Sequence, residues 1–521
     1  MRDCCAFVSG QSFLRVALGI ALFSATLGAT RAEPSSDHIR LSSEFLAKGD
    51  LAAAEKHANL GLATPSTRPL AYAALGAIRL NQGNYEESEN FLKKAVQLEP
   101  RLLGARLNLG SVYVLQGKTD LAAGVFRQVL KLDPANAMAR LNLAQMESEK
   151  GRYRVSLELV QPILTGLRQT PDGLLLLATN YLGLGDVISA RRLVTAWNKL
   201  SSEGGLASSF GVLLARNNLN DEAIQVLEAA KKKQGSYELA FNLANCYFKK
   251  GDGKQASANY EVALTYNEGC VDCLLQLGRI ADQEGNVEKA LAFMILAKRK
   301  SSDDPEVLFE FGKICLKKDL YQDATKALER AVELKPGQDS YLYVLASARV
   351  GTKRFEEARS ILEKLLSKKP NDFQLNYAMG AVFYLEAKLD EAADYFKRSI
   401  ELQPDQLAAH YYLASVAQNK GDHAGASQMF QELLNRHPDH GPSHEALGAV
   451  LLQMGKYVEA EQHLEKAIAL APDSVRAHYQ LSLLYARMGK KMESDQQMDI
   501  FKKLKEQEKE EMKELILLTP N

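Results

Sequence analysis

Five prolines, Pro336, Pro370, Pro404, Pro438 and Pro472, stand at a constant spacing of 34 residues. Each follows one helical stretch, such as Ala324–Lys335 or Ala460–Ala471, and precedes another, such as Leu407–Gln418. A fixed period of this length marks stacked helix–turn–helix units, none of which can bury its apolar face without its neighbours. For a chain of 521 residues that constraint overrides the usual count of domains by length, because a linear array grows without adding separate cores.

The period extends in both directions. A small residue recurs in the middle of each first helix, from Ser42, Gly76, Gly110 and Ala144 to Ala414, Gly448 and Ser482. A second recurs twelve residues later, from Ala54, Ser88 and Ala122 to Ala426, Ala460 and Ser494. Every step is 34 residues except two of 33, from Ala178 to Gly211 and from Gly211 to Ala244. Antiparallel helices approach closely only where one side chain is nearly absent, and a larger residue there costs about 1–3 kcal/mol in overpacking. The intervening turn usually holds a glycine, as at Gly49, Gly117, Gly251 and Gly455, where a left-handed residue is expected to end the first helix. The proline ends the second. Leu109, Tyr113, Phe126 and Val129 fill the remaining faces at helical spacing.

These residues resemble the tetratricopeptide repeat (TPR) family, whose pattern is a large residue, Leu-Gly, Tyr, Gly, Ala, an aromatic, Ala and Pro. Tyr377–Pro404 shows it through Met379-Gly380, Phe383, Ala392, Phe396 and Pro404, and the likeness covers residues 35–501. The resemblance implies an all-α fold: a right-handed superhelical solenoid of about fourteen helix hairpins, closed by a C-terminal capping helix. Its first helices would line a concave surface.

Taken in order, residues 1–32 are expected to be a signal peptide. Arg2 and Arg15 precede the apolar run Val16–Leu27, and Ala29-Thr30-Arg31-Ala32 follows. The expected location is therefore exported, periplasmic or secreted; the alternative is a chain tethered to the membrane by an uncleaved N-terminal segment. Residues 33–168 hold repeats 1–4, with a kink or early helix end at Pro162. Residues 169–236 are degenerate repeats or a flexion point between two halves; Trp197 there is expected to be core. Residues 237–493 are regular repeats. Residues 494–521 are the last repeat's second helix and the cap, with Phe501, Leu504, Met512, Leu515 and Ile516 apolar among many charges. Formal net charge is zero for the whole chain and −2 without residues 1–32, so no attraction to nucleic acid or anionic membrane is implied, and no membrane insertion is expected once the signal is gone.

Catalytic and cofactor motifs are lacking. There is no phosphate-binding P-loop, dinucleotide fingerprint or HExxH. Cys270-Val-Asp-Cys273 is compatible with two small buried apolar residues, with a disulfide, or with a metal or redox pair. His437, His440 and His444 fall within eight residues, near metal-ligand spacing. Yet His410, His444 and His478 lie 34 apart in one repeat position, so periodicity accounts for them without a metal. No cofactor, no metal and no enzymatic activity are expected.

The resemblance places the fifth residue of each first helix on the concave face. In the second half this gives Phe241, Leu275, Phe309, Tyr343, Tyr377, Tyr411, Glu445 and Tyr479, a largely aromatic stripe. Tyrosine joins apolar area to a hydroxyl handle and is a common binding anchor. Phe248 and Tyr384 lie one turn further. Asn108, Asn142 and Asn242 occupy the sixth place and resemble the asparagine ladder with which O-GlcNAc transferase holds peptide backbones; Leu176, Ser209, Glu310, Val344 and Tyr412 interrupt it. Lys249, Lys313 and Lys317 line part of the same surface. The resulting expectation is a non-enzymatic scaffold that binds a protein or peptide partner through Phe241, Phe309, Tyr343, Tyr377, Tyr411, Tyr479 and the three asparagines. The alternative is a structural subunit of a cell-envelope secretion, polysaccharide-export or outer-membrane assembly machine. Self-association through the end repeats, known in the family, stays open.

Overall fold

A computed structural model describes residues 34–200 and 204–517. Among these residues the chain forms fourteen helical hairpins and no strand. We number the repeats 1–14 and call their first and second helices A and B. Repeat 3, for example, is helix A Leu103–Leu115 and helix B Thr119–Leu132.

The turn inside each hairpin follows from two residues. The predicted glycines adopt positive φ, between 72° and 83° from Gly49 to Gly489. In six repeats the next residue is Asp or Asn, and its side chain accepts the N–H three residues on, capping helix B: Asp50, Asn84, Asp186, Asp252, Asn286 and Asp422. Such a cap contributes about 1 kcal/mol. Repeats 6, 9, 10 and 11 lack the glycine. There Asn218, Asp319, Lys353 and Ala387 adopt the same left-handed conformation, with φ of 62°, 57°, 60° and 59°.

The small residues do what their spacing requires. A methyl group at Gly110 would come within 2.5 Å of the Phe126 ring, and one at Gly448 within 2.6 Å of Leu464. In repeats 1, 2 and 4 a serine at the small place sends its hydroxyl across the hairpin: Ser88 donates to Gly76 O (2.7 Å), Ser156 to Ala144 O (2.6 Å) and Ser42 to Ala54 O (2.8 Å). The polar group is thus satisfied inside the closest helix contact.

The histidine row has its own geometry. His410, His444 and His478 each place Nε2 2.8–3.0 Å from the carbonyl of the proline six residues earlier, Pro404, Pro438 and Pro472. Arg106, Arg140 and Asn376 make the same reach to Pro100, Pro134 and Pro370. The row ties the start of helix A to the chain that leads into it. Among the described residues no cluster of three or more potential metal ligands occurs.

Repeat 4 departs as Pro162 predicts. Its helix B stops at Val160, a 3-10 turn spans Gln161–Ile163, and one short helical turn, Leu164–Leu167, follows. The stretch with the loosest repeat pattern is well packed: Leu174, Leu177, Leu193, Phe210, Leu214 and Leu227 share one buried core, where Trp197 stacks on Phe210 at 4.2 Å. The chain divides into two compact units between Leu277 and Gly278, inside helix A of repeat 8 (Val271–Gln283).

Helix B of repeat 14 is a single helix, Lys491–Leu517. Phe501 on it packs against Tyr479 with ring centroids 5.2 Å apart. The proposed signal segment lies outside the described residues, as do the side chains of Met512, Leu515 and Ile516. No described helix is long and apolar enough to cross a membrane.

Candidate functional site

The fifth-place residues fall into three groups. In the first unit Phe241 and Leu275 are 2% and 3% exposed. Phe241 is sandwiched between Tyr237 (5.6 Å) and Tyr260 (6.0 Å) and packs in the core. In the second unit Phe309, Tyr343, Tyr377 and Tyr411 are half-buried. Tyr479 is 38% exposed and is covered on one side by Phe501.

The asparagine row lies deeper than a peptide-binding ladder would require. Asn108, Asn142 and Asn242 are all buried. Asn142 Nδ2 donates to Met138 O (2.9 Å) on its own helix, and Asn242 Nδ2 donates to Ser208 Oγ (2.7 Å) on the preceding repeat. Close packing between successive A helices thus turns Asn142 and Asn242 to bonds within the repeat stack.

Charge is distributed unevenly along the A helices of the second unit. In repeats 8 and 9 Arg279 bridges Glu306 (2.7 Å) and Glu310 (2.8 Å), Lys313 reaches Glu310 (2.8 Å), and Lys317 reaches Asp282 (2.5 Å). Burial opposes the Arg279 charge, but the two carboxylates outweigh it and hold its pKa above the ordinary value. Lys313 and Lys317 are thus committed to local ion pairs.

Repeats 10–12 are different. Tyr343, on helix A of repeat 10 (Asp339–Gly351), and Tyr377, on helix A of repeat 11 (Phe373–Leu385), flank a cavity of about 190 Å³. Its other walls are small or aliphatic: Ala346, Ser347, Val350, Leu362, Ala378, Ala381 and Val382. None of the lining residues is charged. Burial pushes the Tyr343 phenol up, and burial with the neighbouring Tyr412 and Tyr343 pushes Tyr377 up to about 12. Both hydroxyls therefore stay protonated, able to donate as well as accept.

Beside this cavity the aromatic contacts continue. Tyr412 lies 6.0 Å from Tyr377, 5.4 Å from Tyr384 and 5.3 Å from Tyr411 (ring centroids). Tyr411 also meets Phe430 at 5.7 Å and His440 at 5.7 Å. Asn419 Nδ2 donates to the Tyr384 hydroxyl at 2.9 Å. Tyr412 was legible only as a break in the asparagine row; the structure makes it the hub joining Tyr377 to Tyr411. Glu445, the next fifth-place residue, is taken up by Arg476 (3.0 Å) and Ser474 (3.0 Å).

Away from this surface, Cys270 and Cys273 form a disulfide. Cys270 Sγ accepts the Cys273 N–H at 3.1 Å and lies 3.4 Å from the Tyr237 hydroxyl. Of the alternatives the sequence left open, the pair is oxidised and shielded. Cys246 and Cys315 are buried free thiols.

A stack of helical hairpins with a half-buried aromatic face defines a repeat scaffold of the kind used for protein–protein contact. The chain belongs to the tetratricopeptide repeat family: the description "Tetratricopeptide repeat" matches residues 70–102, 107–171, 241–305 and 316–382, and "Cilia and flagella-associated protein 70 middle TPR-like domain" matches 383–509. Human protein O-mannosyl-transferase TMTC1 is 26% identical over 163 residues, which are 30% of this chain and only 18% of that protein. Among solved structures, the Cut9–Hcn1 hetero-tetramer of APC/C aligns over 87% of this chain and 96% of its own, at 12% identity and a TM-score of 0.39. PilF of Pseudomonas aeruginosa aligns over 39% of this chain and 92% of its own, at 19% identity and a TM-score of 0.32.

Proposed function

We propose that this chain is an exported, non-enzymatic scaffold whose second unit binds an extended protein segment along its A helices in repeats 10–12. Tetratricopeptide repeats are protein-interaction modules, and the reading narrows that role to one surface. The observation that carries it is the uncharged cavity between Tyr343 and Tyr377. An apolar cavity of about 150 Å³ accepts a benzene ring, so one of about 190 Å³ takes a single aromatic or branched aliphatic side chain. Tyrosine hydroxyls at its rim supply hydrogen bonds to the backbone on either side. The oxidised Cys270–Cys273 pair accords with export to an oxidising compartment.

The test is partner capture with the full chain and two variants. Tyr343→Ala/Tyr377→Ala/Tyr411→Ala removes the anchors, while Ser347→Arg places a bulky charge at an exposed point of the rim and leaves the packing intact. Loss of the same partner in both variants, with helical content unchanged, is the expected result. Equal recovery by all three proteins would move function to another surface and sink the reading.

A further inference from the structure

The third residue after the small position of helix A is aromatic in many repeats, including Tyr113, Tyr181, Tyr247, Phe383 and Tyr485. In repeat 4 it is Glu147. Tyr113 in repeat 3 is buried in the core, whereas Glu147 lines a cavity. This cavity, of about 560 Å³, lies between helix B of repeat 3 and the two helices of repeat 4, Ala137–Glu149 and Tyr153–Val160. Leu143, Val155 and Leu159 form its apolar floor. Its size is within the roughly 300–1,000 Å³ of ordinary ligand pockets.

The rim is basic. Arg127, Lys131 and Arg152 face Glu147, the single acidic residue in the lining. Glu147 is bonded to Arg152 Nε, and the Arg152 hydrogen bond holds the carboxyl below its ordinary pKa despite its burial. Arg127 reaches the same carboxylate only at 4.0 Å and is 61% exposed. Lys131 is exposed and makes no ion pair among the described residues. Three cations against one carboxylate leave a surplus of two positive charges over an apolar floor. The complement is a segment that presents bulky aliphatic side chains among carboxylates.

This chain carries such a segment. Residues 508–518 contain Glu508, Glu510, Glu511 and Glu514 against Lys509 and Lys513, and end in Leu515-Ile516-Leu517-Leu518. Its charge of −2 matches the surplus of the pocket in magnitude and opposes it in sign. We propose that the pocket of repeats 3 and 4 receives residues 508–518 of a second copy of this chain. The surface used by the first copy differs from that used by the second, so the contact is head-to-tail. It involves none of the tyrosines of repeats 10–12, and its failure would leave the reading of that surface untouched.

Light scattering of the full chain across a concentration series tests it, with two variants in the same background. Arg127→Glu/Lys131→Glu reverses the rim, and Leu515→Asp/Ile516→Asp spoils the segment. The wild type is expected to gain mass with concentration and each variant to stay at the mass of one chain. Mixed one to one, the variants should form a dimer, because one retains a sound segment and the other a sound pocket. A wild type that stays at one-chain mass, variants that associate as the wild type does, or a mixture no heavier than its components would each overturn the proposal.

Discussion

The Nδ1 atoms of His444 and His463 lie 2.9 Å apart across the hairpin of repeat 13. The Pro438 carbonyl can only accept, so His444 Nε2 carries a hydrogen, and the two Nδ1 atoms share a single hydrogen donated from one ring to the other. Repeat 1 repeats the arrangement in His38 and His57, whose Nδ1 atoms are 3.1 Å apart. Two protonated rings cannot share this contact.

Acid should therefore loosen repeat 13. Burial, then the charge of His444, holds His463 below the ordinary imidazole value of 6.5. With the folded-state value depressed, the unfolded chain takes up the proton first. Stability is unaffected above about pH 6.5 and declines as the pH falls below it. His463→Met, which copies Met429 at the corresponding place in repeat 12, should flatten that decline. Melting temperatures of the two proteins at pH 8 and pH 5 give the comparison; equal losses would contradict it.

The four left-handed residues without a glycine are sites of conformational cost. A non-glycine residue there costs roughly 1–2 kcal/mol. Ala387→Gly and Lys353→Gly should each raise the denaturant midpoint, by an amount corresponding to about 1 kcal/mol. Gly117→Ala, at φ 72°, should lower it by a similar amount although a methyl group there meets nothing within 4 Å.

The small residue of helix A should resist enlargement. Gly110→Val drives its side chain into the Phe126 ring, already fully buried, and should cost about 1–3 kcal/mol. Chemical denaturation followed by circular dichroism reads this directly. An unchanged midpoint would mean that the hairpin can spread without loss.

The thiols should divide by burial. Burial pushes Cys315 up to about 12, and Cys246 is fully enclosed, so iodoacetamide at pH 8 should modify neither until the chain unfolds. Peptide mass mapping separates them from the other cysteines. Reducing Cys270–Cys273 opens a loop of only a few residues, so its effect on stability should stay near 2 kcal/mol.

The fold was legible because its repeat is enforced by sterics. Gly110 is small because Phe126 occupies its methyl space, and Gly117 is glycine because φ is positive there. The site was legible only in part. Phe241 and Tyr343 hold the same repeat position, yet one is enclosed by Tyr237 and Tyr260 while the other borders an opening left by Ser347, Ala378 and Ala381. Exposure at that place depends on the bulk of neighbours in the same repeat and the next, which a single-position pattern does not carry. The burial of the asparagines escaped the pattern for a related reason, since Asn242 finds Ser208 in the preceding repeat. The histidine row could have been read further, because a proline precedes each member by six residues. The pocket at Glu147 was visible in principle as the one acidic residue in a row that is aromatic in six of fourteen repeats.

Every side-chain hydrogen bond and ion pair described joins residues no more than 35 positions apart, as in Lys317 with Asp282 and Asn419 with Tyr384. A hairpin emerging from a ribosome or a translocation channel thus finds all its partners already present or about to arrive. No early segment has to remain open until the far end of the polypeptide appears. The exposed apolar edge of a half-made chain is always one repeat wide, whatever length has been synthesised, and that edge is the only surface a chaperone would need to guard.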